Sequence, residues 1–165
     1  FVGTHDHRVA DRDLLDRNFH DLVAAPNMRC TGREVGQGFD RPFGAAHGAA
    51  RFGVVGYCWG GLLAWRSACT VAGFNAAVAY YGGGMTNTSE VARTPLCPTM
   101  CHFGELDHAI PIEGVHTFAA LQPQVEVHTY AAAHGFNCDQ RASFDAAAAA
   151  TARSRTLAFF ERHLG

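Results

Sequence analysis

A chain of 165 residues, 48% hydrophobic and 17% charged, is one domain's worth of sequence and can bury a sizeable core. Its formal net charge of −2, with no basic block, argues against nucleic acid or an anionic membrane surface as partner. No apolar run approaches the roughly 20 residues of a membrane-crossing helix, and the early His5, Asp6, His7, Arg8, Asp11 and Asp13 do not read as a signal peptide.

In chain order, the first fifty residues differ from the rest. Asp11 to Ala25 can form a helix with Leu14, Leu15, Phe19, Leu22 and Val23 apolar, whereas 26–50 is glycine-rich and has no clear period. We therefore divide the chain into an atypical segment, 1–50, and a single core domain, 51–165. The first segment shows no strand pattern and reads as truncated or out of frame, with N-terminal strands missing or altered.

From Phe52 the pattern is regular. A buried-type strand at 52–57 leads through glycines into a helix near 59–72, with Gly73 after it. Ala76–Tyr81 is a second apolar strand and 85–97 a connecting loop. Pro98–Phe103 is a third strand. Ile112–Leu121 is a helix opened by Pro111, and Val125–Tyr130 a fourth strand. The alanine-rich tail from about 142 to 163 is a helix that packs on the sheet. Strands alternating with helices predict an α/β fold, a mostly parallel sheet flanked by helices. Six cysteines without a Cys-x-x-Cys pair do not form a disulfide scaffold, and a reducing cytoplasm is the simpler compartment.

Between the first strand and its helix stands Gly56-Tyr57-Cys58-Trp59-Gly60, followed by Gly61. A nucleophile on a sharp strand-to-helix turn needs small neighbours, because its own backbone is strained. The helix start directs N–H groups and a positive dipole end at the same point, which favours an anion there. A cysteine nucleophile needs a base, and the base an orienting group. On a parallel sheet these belong past the carboxyl ends of later strands, in the order nucleophile, acid, histidine. Asp107 follows the third strand and His134 the fourth. His108 and Glu105 are the alternative base and acid. His102 and His128 fall inside strands, where a bonded core or surface histidine is expected. His5-x-His7 lacks a third metal ligand nearby.

Val54-Val55-Gly56-Tyr57-Cys58-Trp59-Gly60-Gly61, Phe103-Gly104-Glu105-Leu106-Asp107 with Ile110-Pro111, and His134-Gly135-Phe136-Asn137 together resemble the dienelactone hydrolase family. Arg155-Thr156-Leu157-Ala158-Phe159-Phe160 resembles that family's last helix. The resemblance spans roughly 52–163. It implies an α/β-hydrolase-type fold and a carboxylic ester hydrolase that opens dienelactone to maleylacetate, a step in aromatic-compound degradation. It further implies Cys58 as nucleophile, His134 as base, Asp107 as orienting carboxylate and the Trp59 N–H as one oxyanion donor. No metal or organic cofactor is implied, and the partner is a small-molecule ester or lactone. The family also holds its substrate carboxylate with arginine. Arg141 is the candidate here, Cys138 standing nearer the place where characterised members carry one. No residue of 1–50 can be assigned the family's upstream glutamate or second oxyanion donor. The alternatives are a broader carboxylesterase or thioesterase on the same fold, or a non-catalytic remnant.

Overall fold

A computed structural model of the chain describes the backbone of residues 2–4 and all of residues 51–164. The expected helix over Asp11–Ala25 and the His5–His7 pair lie outside the described residues. The elements are β1 (Val2–Thr4), β2 (Phe52–Tyr57), α1 (Trp59–Thr70), β3 (Ala76–Tyr80), α2 (Thr88–Val91), β4 (Thr99–Gly104), α3 (Ile112–Leu121), β5 (Val125–Tyr130) and α4 (Ala146–Leu164).

The strands form one sheet in the order β1-β2-β3-β4-β5. β2 to β5 run parallel, as the alternation predicts, and β1 lies antiparallel on β2. The first segment thus supplies one three-residue strand, where its sequence suggested no sheet element at all. Register aligns Tyr57 with Tyr80, and Gly104 with Tyr130, so the loops after all four parallel strands open at one end of the sheet. That end is where parallel α/β sheets place their sites.

Both faces are covered. Successive strand residues point to opposite faces. Ala77 of β3 clusters with Ala64 and Ala68 of α1, while Tyr80 bonds Thr156 of α4. β3 and β4 are buried along their whole length, the continuous apolar signature of strands packed on two sides.

Two departures from the sequence reading have clear physical causes. The last helix begins at Ala146 rather than about 142, because the Asp145 carboxylate accepts the Ala148 N–H at 2.8 Å and caps it there. The loop 85–97 contains the single helical turn α2. Tertiary bonds hold it: buried Glu90 takes Arg66 of α1 at 2.7 Å and Arg93 at 2.9 Å. Gln122 Nε2 donates to the carbonyls of Val91 and Arg93.

These buried groups make stability depend on pH. Burial, with the nearby His128 and Arg155 charges, pushes His102 from its ordinary 6.5 down to about 3. Burial alone would raise Glu90, but the Arg66 bond and the Arg66 and Arg93 charges outweigh it and lower it. The unfolded chain therefore binds more protons than the folded one below pH 6.5. The His102 contribution is lost as pH falls from 6.5 toward 3, and the Glu90 contribution below about 4.5. The expected outcome is a lower urea midpoint at pH 5 than at pH 7; equal midpoints would contradict a buried neutral His102.

Candidate active site

The elbow is a tightly constrained piece of backbone. Cys58 has φ 55° and ψ −121°, outside the regions that L residues occupy freely. Its N–H donates to the Tyr80 carbonyl at 3.0 Å, and its own carbonyl receives the N–H of Gly61 at 2.9 Å and of Leu62 at 3.3 Å. The turn closes only over glycine. A Cβ on Gly56 would overlap the Gly60 carbonyl, and one on Gly61 would stand 2.5 Å from the Tyr80 carbonyl. The spacing read from sequence thus has a steric cause.

Cys58, His134 and Asp107 form one hydrogen-bonded chain. His134 Nε2 lies 3.2 Å from Cys58 Sγ, and His134 Nδ1 lies 2.6 Å from Asp107 Oδ2. A carboxylate only accepts, so Nδ1–H donates to Asp107 and, in the neutral ring, Nε2 offers its lone pair to the thiol. The other carboxylate oxygen, Oδ1, accepts the N–H of Ala109 at 2.8 Å and of Ile110 at 3.2 Å. Asp107 is thereby fixed in a buried turn, its side chain fully covered while that of His134 remains 24% exposed. His108 and Glu105, the alternative base and acid, are exposed; Glu105 instead accepts from Thr129. His102 is buried within β4 with both ring nitrogens bonded, as expected of a core histidine.

Trp59 is the first residue of α1, directly after Cys58, so its main-chain N–H has no carbonyl four residues back inside the helix. Its indole is about half exposed. Arg141 is exposed and lies in the loop before α4. Its side chain packs over Gly135, next to His134.

Two aromatic residues complete the surroundings, and sequence reasoning assigned neither of them a role. Tyr81, the residue after β3, has φ 35° and sets its ring 5.1 Å from His134, edge on. Burial, then the neighbouring Cys138 and Cys58 thiols, keep its hydroxyl protonated. Phe136 is fully buried and packs on Tyr80, Tyr81 and Tyr130. The available signal for Tyr81 was its place at a strand's carboxyl end beside the elbow strand. The five described cysteines are all free. Burial pushes Cys69 up to about 11 and raises Cys97 and Cys101, so these three are poor nucleophiles. Among the described residues, no His, Cys, Asp and Glu cluster could hold a metal ion, and no helix is long and apolar enough to cross a membrane.

Comparison with known proteins places the chain in a family. Residues 45–164 match the model of the dienelactone hydrolase family. The carboxymethylenebutenolidase of Pseudomonas sp. strain P51 is 37% identical over 114 residues, which cover 66% of this chain and 47% of that protein. A structure described as a dienelactone hydrolase from Klebsiella pneumoniae superposes with a TM-score of 0.64 at 30% identity, covering 73% of this chain and 56% of the other. An esterase from Pyrococcus furiosus shares the fold, with a TM-score of 0.58 at 19% identity over 92% of this chain and 64% of its own. The chain spans about half the length of the curated relatives it matches.

Proposed function

The chain belongs to the dienelactone hydrolase family, and on that premise we propose that it hydrolyses carboxylic ester or lactone bonds through Cys58, His134 and Asp107. The observation that carries this reading is the unbroken bonding from Cys58 Sγ through His134 to the buried Asp107 carboxylate. Cys58 Sγ attacks the carbonyl carbon as His134 Nε2 takes the thiol proton. The carbonyl oxygen becomes an oxyanion against the Trp59 N–H. The intermediate collapses as the C–O bond breaks, and His134 returns the proton to the departing oxygen. Water, deprotonated by His134, then splits the thioester and restores the thiol. Asp107 holds the imidazole in the tautomer that both halves require. A single oxyanion donor is worth on the order of 10²–10³ in rate.

The relatives' name supports a lactone substrate, dienelactone opened to maleylacetate. Tyr81 sets an aromatic edge against His134, backed by the buried Phe136, and Arg141, packed over Gly135, is the candidate cation for a substrate carboxylate. The test is turnover of dienelactone and of p-nitrophenyl acetate by the purified chain. Both are expected to be hydrolysed, and Asp107→Asn is expected to lower kcat on the order of 10²–10⁴-fold. Turnover of the simple ester alone would replace the lactone reading by the broader carboxylesterase one. A folded chain inert to both would overturn the reading.

A further inference from the structure

Beneath the site a row of aromatic side chains crosses the sheet. Tyr57 stands opposite Tyr80, Tyr80 opposite His102, and His102 opposite His128. Their ring centroids are 4.6, 4.4 and 5.6 Å apart. At the centre, His102 Nδ1 meets the Tyr130 hydroxyl at 2.9 Å and Nε2 meets the Thr156 hydroxyl at 3.0 Å. Thr156 also bonds the Tyr80 hydroxyl at 2.6 Å, and Arg155 donates to the Tyr130 hydroxyl at 3.1 Å. A neutral imidazole carries one donor and one acceptor, which suits one hydroxyl on each side.

The same residues hold the site through their main chains. The Tyr80 carbonyl accepts the Cys58 N–H at 3.0 Å, and the His102 carbonyl accepts the Tyr81 N–H at 2.7 Å. The Tyr130 carbonyl accepts two N–H groups, Glu105 and Ala132, each at 2.7 Å. Glu105 opens the loop that carries Asp107, and Ala132 lies in the loop that carries His134. Leu106 N–H then donates to the Ala132 carbonyl at 3.0 Å, joining the two loops. Phe136, two residues past His134, rests on both Tyr80 and Tyr130. The elbow and both loops therefore spring from residues that one buried cluster clamps together. Burying polar groups stabilises only when each is bonded, so a core needing nothing but filling would be apolar here.

We propose that His102 is a positioning residue: bonded to Tyr130 and Thr156, and through Thr156 to Tyr80, it sets the alignment of Cys58, His134 and Asp107. The proposal rests on the hydrolase reading above. It is tested with His102→Phe, Tyr130→Phe and the double variant, each checked for folding by circular dichroism and thermal unfolding. Two rates are read: acylation by p-nitrophenyl acetate in the first turnover, and site-resolved alkylation of Cys58 by iodoacetamide, with His134→Ala as the reference. Acylation per folded molecule is expected to fall on the order of 10- to 100-fold in each single variant, the scale of a small misplacement of reacting groups. The double variant is expected to be no slower than the slower single one. Cys58 alkylation is expected to move toward the His134→Ala rate. Folded variants with a lowered Tm but wild-type rates would overturn the proposal, as would losses that multiply in the double variant. If His102→Phe does not fold, Tyr130→Phe, which removes a single oxygen, carries the test. If the wild-type chain cleaves no ester, the hydrolase reading fails, and alkylation of Cys58 alone decides whether the cluster aligns the cysteine with His134.

Discussion

Replacing Cys58 by alanine is expected to lower ester hydrolysis on the order of 10⁴-fold or more, and His134→Ala to cost nearly as much. In the proposed mechanism the Cys58 sulfur bonds to substrate carbon, and His134 Nε2, 3.2 Å away, takes the thiol proton. Cys69, Cys97 and Cys101 are poor substitutes, since burial raises all three. Residues that work as one unit give losses that do not add. The double variant Cys58→Ala/His134→Ala is therefore expected to be no slower than the worse single variant. Initial rates on p-nitrophenyl acetate for the four proteins decide this. Single-variant losses of tenfold or less, or losses that multiply in the double variant, would contradict a shared mechanism.

Gly56→Ala is expected to be the most damaging single methyl group among the described glycines, destabilising the fold by about 3 kcal/mol or more. The new Cβ would overlap the Gly60 carbonyl, which is backbone at the start of α1 and cannot swing aside. Relief requires the elbow to open, so the Cys58–His134 contact is lost along with stability. Gly83→Ala is the matched control, because a Cβ there meets nothing within 4 Å. Urea denaturation of both variants is the measurement. A Gly56→Ala midpoint within error of the Gly83→Ala midpoint would mean that the elbow is less tight than its backbone contacts require.

The parts of the site that were legible in the sequence are those whose chemistry is local. Gly56 is demanded by a contact inside the elbow itself, since a Cβ there would overlap the Gly60 carbonyl two residues past Cys58. Asp107 and His134 could be placed because each follows a strand whose apolar pattern is plain, and a parallel sheet brings such ends together. The fold followed from the same alternation. What stayed hidden depends on distant partners. The turn α2 exists because Arg66, Arg93 and Gln122 reach Glu90 and its neighbouring carbonyls. The pairing of Val2–Thr4 with β2 joins segments about fifty residues apart, and nothing in either announces it. Tyr81 read as an ordinary last residue of a strand. Its value lies in the edge it presents to His134. His102 reads from sequence as a bonded core or surface histidine, and its partners Tyr130 and Thr156 lie on other elements. Only the assembled sheet reveals what those partners hold in place.

The central claim is that Cys58 takes the acyl group. Intact-protein mass spectrometry of the chain quenched in acid during turnover of p-nitrophenyl acetate, followed by peptide mapping, tests it most directly. The account predicts an adduct of one acetyl group on the peptide containing Cys58, absent from Cys58→Ala and retained longer in His134→Ala after prolonged acylation. Turnover without an adduct, or an acetyl group carried by another residue while turnover persists in Cys58→Ala, would contradict it.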